Sequence, residues 1–212
     1  MTNNISYSIL ELVKVIKFFL DFSSISLLAS NLIIIILAVI QKWEVSTVLW
    51  VYWMQSVIIG FFQFLRILSL KKFSTENFTI NNQPVSPTIQ TKISTAFFFI
   101  FHYVFFHFIY AIFLFILFTK QTLDFANLLT GGLIFFLNHV FSFYHNKTLD
   151  QQKIQNIGWL MFAPYVRIVP MHLIIIFGVI LGQSTLIVFL LLKTFIDLLM
   201  HSLKHKSSYS TH

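Results

Sequence analysis

Six apolar runs, each about long enough to cross a bilayer, constrain this chain more than any other feature. A hydrocarbon core needs ~20 residues of helix per crossing. The runs lie at about 23–41, 46–69, 93–118, 125–145, 159–181 and 185–203. In lipid each segment must pair its own backbone N–H and C=O groups, so such runs fold as helices. They use most of the 212 residues and leave no independent soluble domain. The expected fold class is therefore all-α: a polytopic transmembrane helix bundle of about six spans, with residues 1–212 forming a single integral membrane domain. Residues ~5–21 mix Ile, Leu, Val and Phe with Glu11, Lys14, Lys17 and Asp21 at near-helical spacing. That pattern predicts an N-terminal amphipathic helix lying in the membrane interface. Its charges also argue against a cleaved signal peptide, so the first span is expected in the mature protein.

Only 10% of the residues are charged and 57% are hydrophobic, against roughly a quarter charged in soluble domains. The net charge of +7 comes from basic residues at the ends of apolar runs. The expected partner is thus the lipid bilayer and not nucleic acid. With the N-terminus inside, Lys14, Lys17, Arg66, Lys71, Lys72, Lys92, Lys147, Lys153, Lys204 and Lys206 fall on the cytoplasmic side, and Lys42 and Lys120 opposite. This bias predicts that both termini are cytoplasmic and that the number of spans is even. The loop 71–91 is the one long polar stretch, and Pro84 and Pro87 predict that it lacks regular structure. Trp43, Trp50, Trp53 and Trp159 lie near span ends, as in an aromatic belt. Gly131-Gly132 predicts a bend or a close helix approach early in the fourth span. Without cysteine, disulfides, iron–sulfur clusters and thiolate chemistry are excluded.

Ionisable residues inside the apolar runs are the candidate site. They are His102 and His107 in the third run, His139 in the fourth, Arg167 and His172 in the fifth, and Lys193 and Asp197 in the sixth. Such groups are costly in hydrocarbon, so they pair, face a bundle interior and mark function. At 1.5 Å per residue, His102, His139, Arg167 and Asp197 lie ~9–12 Å from the cytoplasmic span ends, with His107, His172 and Lys193 at roughly 15–20 Å. The expected site is a buried polar cluster of His102, His139, Arg167, His172, Lys193 and Asp197 in the cytoplasmic half. His102 and His107 are ~140° apart around one helix and serve different neighbours. The bland reading of His107 is a hydrogen bond between helices, and that of Arg167 with Asp197 a buried ion pair. Lys193, Asp197 and His201 form an i, i+4, i+8 stripe. Pro170 predicts a kink beside Arg167.

Tyr52-Trp53, the stretch from Phe101-His102-Tyr103, His139 with Ser142-Phe143, Gly158-Trp159 with MFAPYVRIVPMH (161–172), and LLLKTFIDLLMH (190–201) resemble a family of small prokaryotic multi-pass integral membrane proteins of unknown function. The resemblance covers nearly the whole chain and is most specific in Pro-Tyr-x-Arg-Ile-Val-x-Met-His and Leu-Lys-Thr-x-x-Asp-x-x-x-His. It implies a prokaryotic inner (cell) membrane location and brings no activity. The chain departs from the pattern at Gln55, where a Glu is expected, and at Tyr110, where a second His is expected. Both changes weaken a metal site.

Three readings of function follow. In the first, the chain is a non-catalytic membrane component, a scaffold or assembly partner, with the polar layer holding helices together. In the second, it holds a metal ion or haem, with His102, His139, His172, Asp197 and His201 as candidate metal ligands, or His102 and His139 as axial haem ligands. In the third, it is a small proton-linked transporter or channel, whose relay uses Asp197, Lys193 and the histidines and whose short chain requires a homo-oligomer. A membrane protein partner is a further expectation. Enzymatic action on a lipid or quinone has little support, because serine-nucleophile motifs and paired carboxylates are lacking.

Overall fold

The computed structural model describes residues 22–118, 122–166, 168, 169 and 194. They form five helices: α1 (Phe22–Ile40), α2 (Val45–Ser69), α3 (Ile89–Leu117), α4 (Phe125–Gln152) and the short α5 (Ile157–Val166). The structure is all-helical apart from four two-residue strands. Among the described residues α2, α3 and α4 are long and apolar enough to cross a membrane. The expected spans at 159–181 and 185–203 fall almost wholly outside the described residues beyond α5, as does the amphipathic segment 5–21.

The helix ends follow local chemistry. Lys42 takes a left-handed φ of 50° after α1, and the Trp43 N–H closes back on the Ala38 carbonyl at 2.9 Å, which stops the helix. Thr88 caps α3, its hydroxyl accepting from the Thr91 N–H at 3.1 Å. Asp124 caps α4 by accepting from Ala126 and Asn127. Two ends differ from the hydropathy limits. The cap at Thr88 starts α3 four residues before 93, and α4 continues seven residues past 145, because polar residues extend each helix beyond its apolar run.

α2 is the centre of the bundle. It packs along α3 on one side and along α4 on the other, while α1 packs on α4. One core joins Ile34, Ala38, Val48, Val51, Tyr52 and Phe135 of α1, α2 and α4 with Leu114 of α3. A second joins Ile67 and Leu70 with Ala96, Phe99 and Tyr103 of α3 and Leu160 and Met161 of α5. Close approach is built in at Gly131, where a Cβ would sit 2.6 Å from Val51 Cγ1, and at Gly132 against Met54 Sδ. The expectation of close approach there is met. Outward, α3 exposes Phe97, Phe98, Phe101, Phe105 and Phe108, and α4 exposes Leu129, Leu133, Leu137 and Phe141. Apolar surface of this extent fits acyl chains.

The loop after α2 is ordered, contrary to what its prolines predict. β1 (Phe73–Ser74) pairs in parallel with β4 (Gln155–Asn156), just before α5. β2 (Thr79–Ile80) and β3 (Gln83–Pro84) make a hairpin. Its two turn residues, Asn81 and Asn82, have φ of 50° and 61°, and asparagine tolerates that conformation better than most residues. The prolines permit this because so short a hairpin needs few backbone donors.

Candidate functional site

α2 carries polar side chains towards both neighbours, and they build the site. Towards α3, Ser56, Tyr103 and His107 form one network, with Trp53 closing it. His107 Nδ1 lies 2.8 Å from the Tyr103 carbonyl. A carbonyl only accepts, so Nδ1 carries the hydrogen, and in the neutral ring Nε2 accepts from the Ser56 hydroxyl at 2.8 Å. The Tyr103 hydroxyl donates to the Ser56 carbonyl at 3.0 Å and lies 3.1 Å from Ser56 Oγ. Trp53 Nε1 donates to the His107 carbonyl at 2.9 Å. The Tyr103 ring stacks on His107 at 4.2 Å and fills the space over Gly60. Trp53 therefore works between helices, eight residues into α2, and not in an interfacial belt.

A serine hydroxyl directed at a neutral imidazole nitrogen is the geometry of a nucleophile and its base. Here, however, His107 is 3% exposed, and the Ser56 hydroxyl is held between the ring and the Tyr103 hydroxyl. What the arrangement does is join two helices.

Towards α4 the partners are amides. Residues 52, 55, 59, 62 and 66 form one stripe of α2 at helical spacing. Tyr52 meets Phe135, and Phe62 meets Phe136, His139 and Phe143. Gln55 lies on this stripe and is 0% exposed. Neither amide atom of Gln55 has a hydrogen-bond partner among the described residues. On α4, Asn138 and His139 are buried. Asn138 Oδ1 accepts from the Ser26 hydroxyl of α1. A polar contact thus joins α1 to α4, while Gln55 of α2 is buried on the stripe that faces α4.

At the far end of the stripe, Arg66 and Asp150 form a two-pronged ion pair, with Nε to Oδ2 at 2.5 Å and Nη2 to Oδ1 at 2.7 Å. Their side chains are 9% and 7% exposed. Planar guanidinium and carboxylate match geometrically, so the pair also fixes the rotation of α2 against α4.

Of the expected cluster, His102 and His139 lie within the described residues, each thirteen residues from a helix end, Ile89 and Gln152 respectively. Their described neighbours differ. His102 Nδ1 bonds the Tyr165 hydroxyl of α5 at 2.8 Å and lies against Phe98 and Phe106, whereas His139 faces Phe62 of α2. His107 faces Ser56 of α2, so His102 and His107 serve different neighbours, as their spacing predicts. Arg167, His172, Lys193, Asp197 and His201 lie outside the described residues. Among the described residues no group of three or more His, Asp or Glu could hold a metal ion.

Sequence reasoning passed over Arg66 with Asp150, and Ser56 with Tyr103. Only the departure at Gln55 pointed to a buried amide.

A family model described as a family of unknown function (DUF6498) matches residues 16–211. No curated protein and no solved structure matches the chain.

Proposed function

Because the chain belongs to this family of unknown function over nearly its whole length, membership supplies no activity, and we propose one from the geometry. The protein is a multi-pass integral membrane protein of the cell membrane, with six spans and both termini cytoplasmic. It acts as a non-catalytic membrane component, a helical scaffold on which other membrane molecules assemble. One observation carries this reading: the polar side chains of α2 join it to its neighbours. Trp53 and Ser56 hold α3, Gln63 Nε2 donates to the Leu160 carbonyl of α5 at 2.6 Å, and Arg66 holds α4. Interhelical polar contacts in membranes stabilise by roughly 0.6 kcal/mol each on average. Their effect here is therefore more to specify packing than to supply stability.

Topology is tested by labelling, which the absence of cysteine makes clean. In intact cells a membrane-impermeant maleimide is expected to label a Lys42→Cys variant but not Lys71→Cys or Lys153→Cys. The latter two are expected to react after permeabilisation. Labelling of all three in intact cells would refute the topology. The scaffold role is tested with Ser56→Ala and His107→Asn in a strain lacking the gene. Both variants are expected to restore the phenotype wherever they accumulate normally. Failure to complement at normal abundance and Tm would argue for chemistry at this pair.

A further inference from the structure

Strand pairing gathers lysines that the sequence keeps apart. The parallel register sets Phe73 opposite Gln155, so Lys71 and Lys153 each stand two residues before paired positions, at the same end of the ladder. Lys72 adjoins them. Lys92, at the start of α3, places its ammonium on the Leu70 carbonyl at 2.9 Å, beside Lys71. Lys71, Lys72 and Lys153 are exposed.

Basic side chains outnumber acidic ones in this region. Residues 66–92 and 147–156 contain six basic and two acidic side chains, and of the two, Asp150 is engaged by Arg66. Among the described residues the opposite end carries Lys42 against Glu44 and Asp124.

Exposed large apolar side chains adjoin these lysines in the chain, Ile154 beside Lys153 and Ile89 one helical turn before Lys92. Ile154, next to Lys153, is 66% exposed, Ile89 is 73% exposed and Ile80 is also exposed. Lysines beside exposed isoleucines at the end of membrane-length helices match the boundary between head groups and acyl chains. A free phosphate in solution would use the lysines and have no use for the isoleucines.

We propose that Lys71, Lys72, Lys92 and Lys153 form a binding site for the phosphate head group of an anionic phospholipid in the cytoplasmic leaflet. The site rests on the membrane-spanning reading above. The ordered β1–β4 junction presets the spacing of the lysines, so the head group meets charges already in place. Phosphate oxygens accept from the ammonium groups, and the acyl chains lie along the exposed isoleucines.

The test uses detergent-purified full-length protein and native mass spectrometry with phosphatidylglycerol and phosphatidylcholine. Phosphatidylglycerol is expected to be retained preferentially. Affinity is expected to fall about fivefold for each lysine removed in Lys71→Gln, Lys72→Gln and Lys153→Gln. A variant with arginine at the same three positions should keep binding, and Lys42→Gln should leave it unchanged. Equal retention of the two lipids, unchanged binding in the triple glutamine variant, or full displacement by millimolar inorganic phosphate would overturn the proposal. Membrane insertion is read separately by the labelling pattern. If labelling follows the proposed topology and phosphatidylglycerol still shows no preference, the lipid site alone fails.

Discussion

An amide enclosed without a partner costs free energy in any folded protein, and among the described residues Gln55 is such an amide. The loss of one unsatisfied buried group is worth about 1–3 kcal/mol. Gln55→Leu keeps much of the volume and removes both unpaired atoms, so it is expected to raise the Tm of the detergent-purified protein, read by circular dichroism. A lower Tm would mean that the amide is satisfied in the native membrane protein. Arg66 and Asp150 behave in the opposite way. Asp150→Ala leaves a guanidinium buried and unpaired, at an expected cost of about 3–5 kcal/mol. Replacing both, as Arg66→Met with Asp150→Leu, should recover most of that loss. A double-mutant cycle in urea or detergent unfolding checks this, and additive single effects would contradict it.

What the sequence makes legible differs between these residues. Gln55 stands out as a polar residue in an apolar run, but its lack of partners depends on what α4 presents to it. The Arg66–Asp150 pair joins positions 84 residues apart, and neither side chain lies deep in an apolar run. Hydropathy ends the fourth span at 145, so Asp150 reads as loop although it is on the helix. For His102 and His139, rise per residue gives a depth but carries no information about which neighbour each face meets.

At the scale of elements, the approach of α2 to α4 depends on Gly131 and Gly132. Gly131→Ile would force Val51 aside along the closest stretch of the interface. We expect a destabilisation of about 1–3 kcal/mol from overpacking, measured as a lowered Tm, with Leu129→Ile on the exposed face as an inert comparison. The glycine pair was readable in advance because small residues at membrane helix contacts have a general cause. The β1–β4 junction was not. Two residues per strand give no periodicity, and their pairing is set by where α2 and α4 end. Strand order thus reports helix geometry, and both ends lie on one side of the bundle.

For the molecule as a whole, the arrangement sets an order of construction. Since α2 has α3 on one flank and α4 on the other, the two later helices meet α2 independently. During synthesis from the N-terminus, α2 is made before α3 and α4 and presents both seats before either occupant exists. A helix that arrives late then docks on a finished surface, with no need to displace an earlier one. Severing the chain between α3 and α4 should accordingly leave two pieces able to find each other when made together.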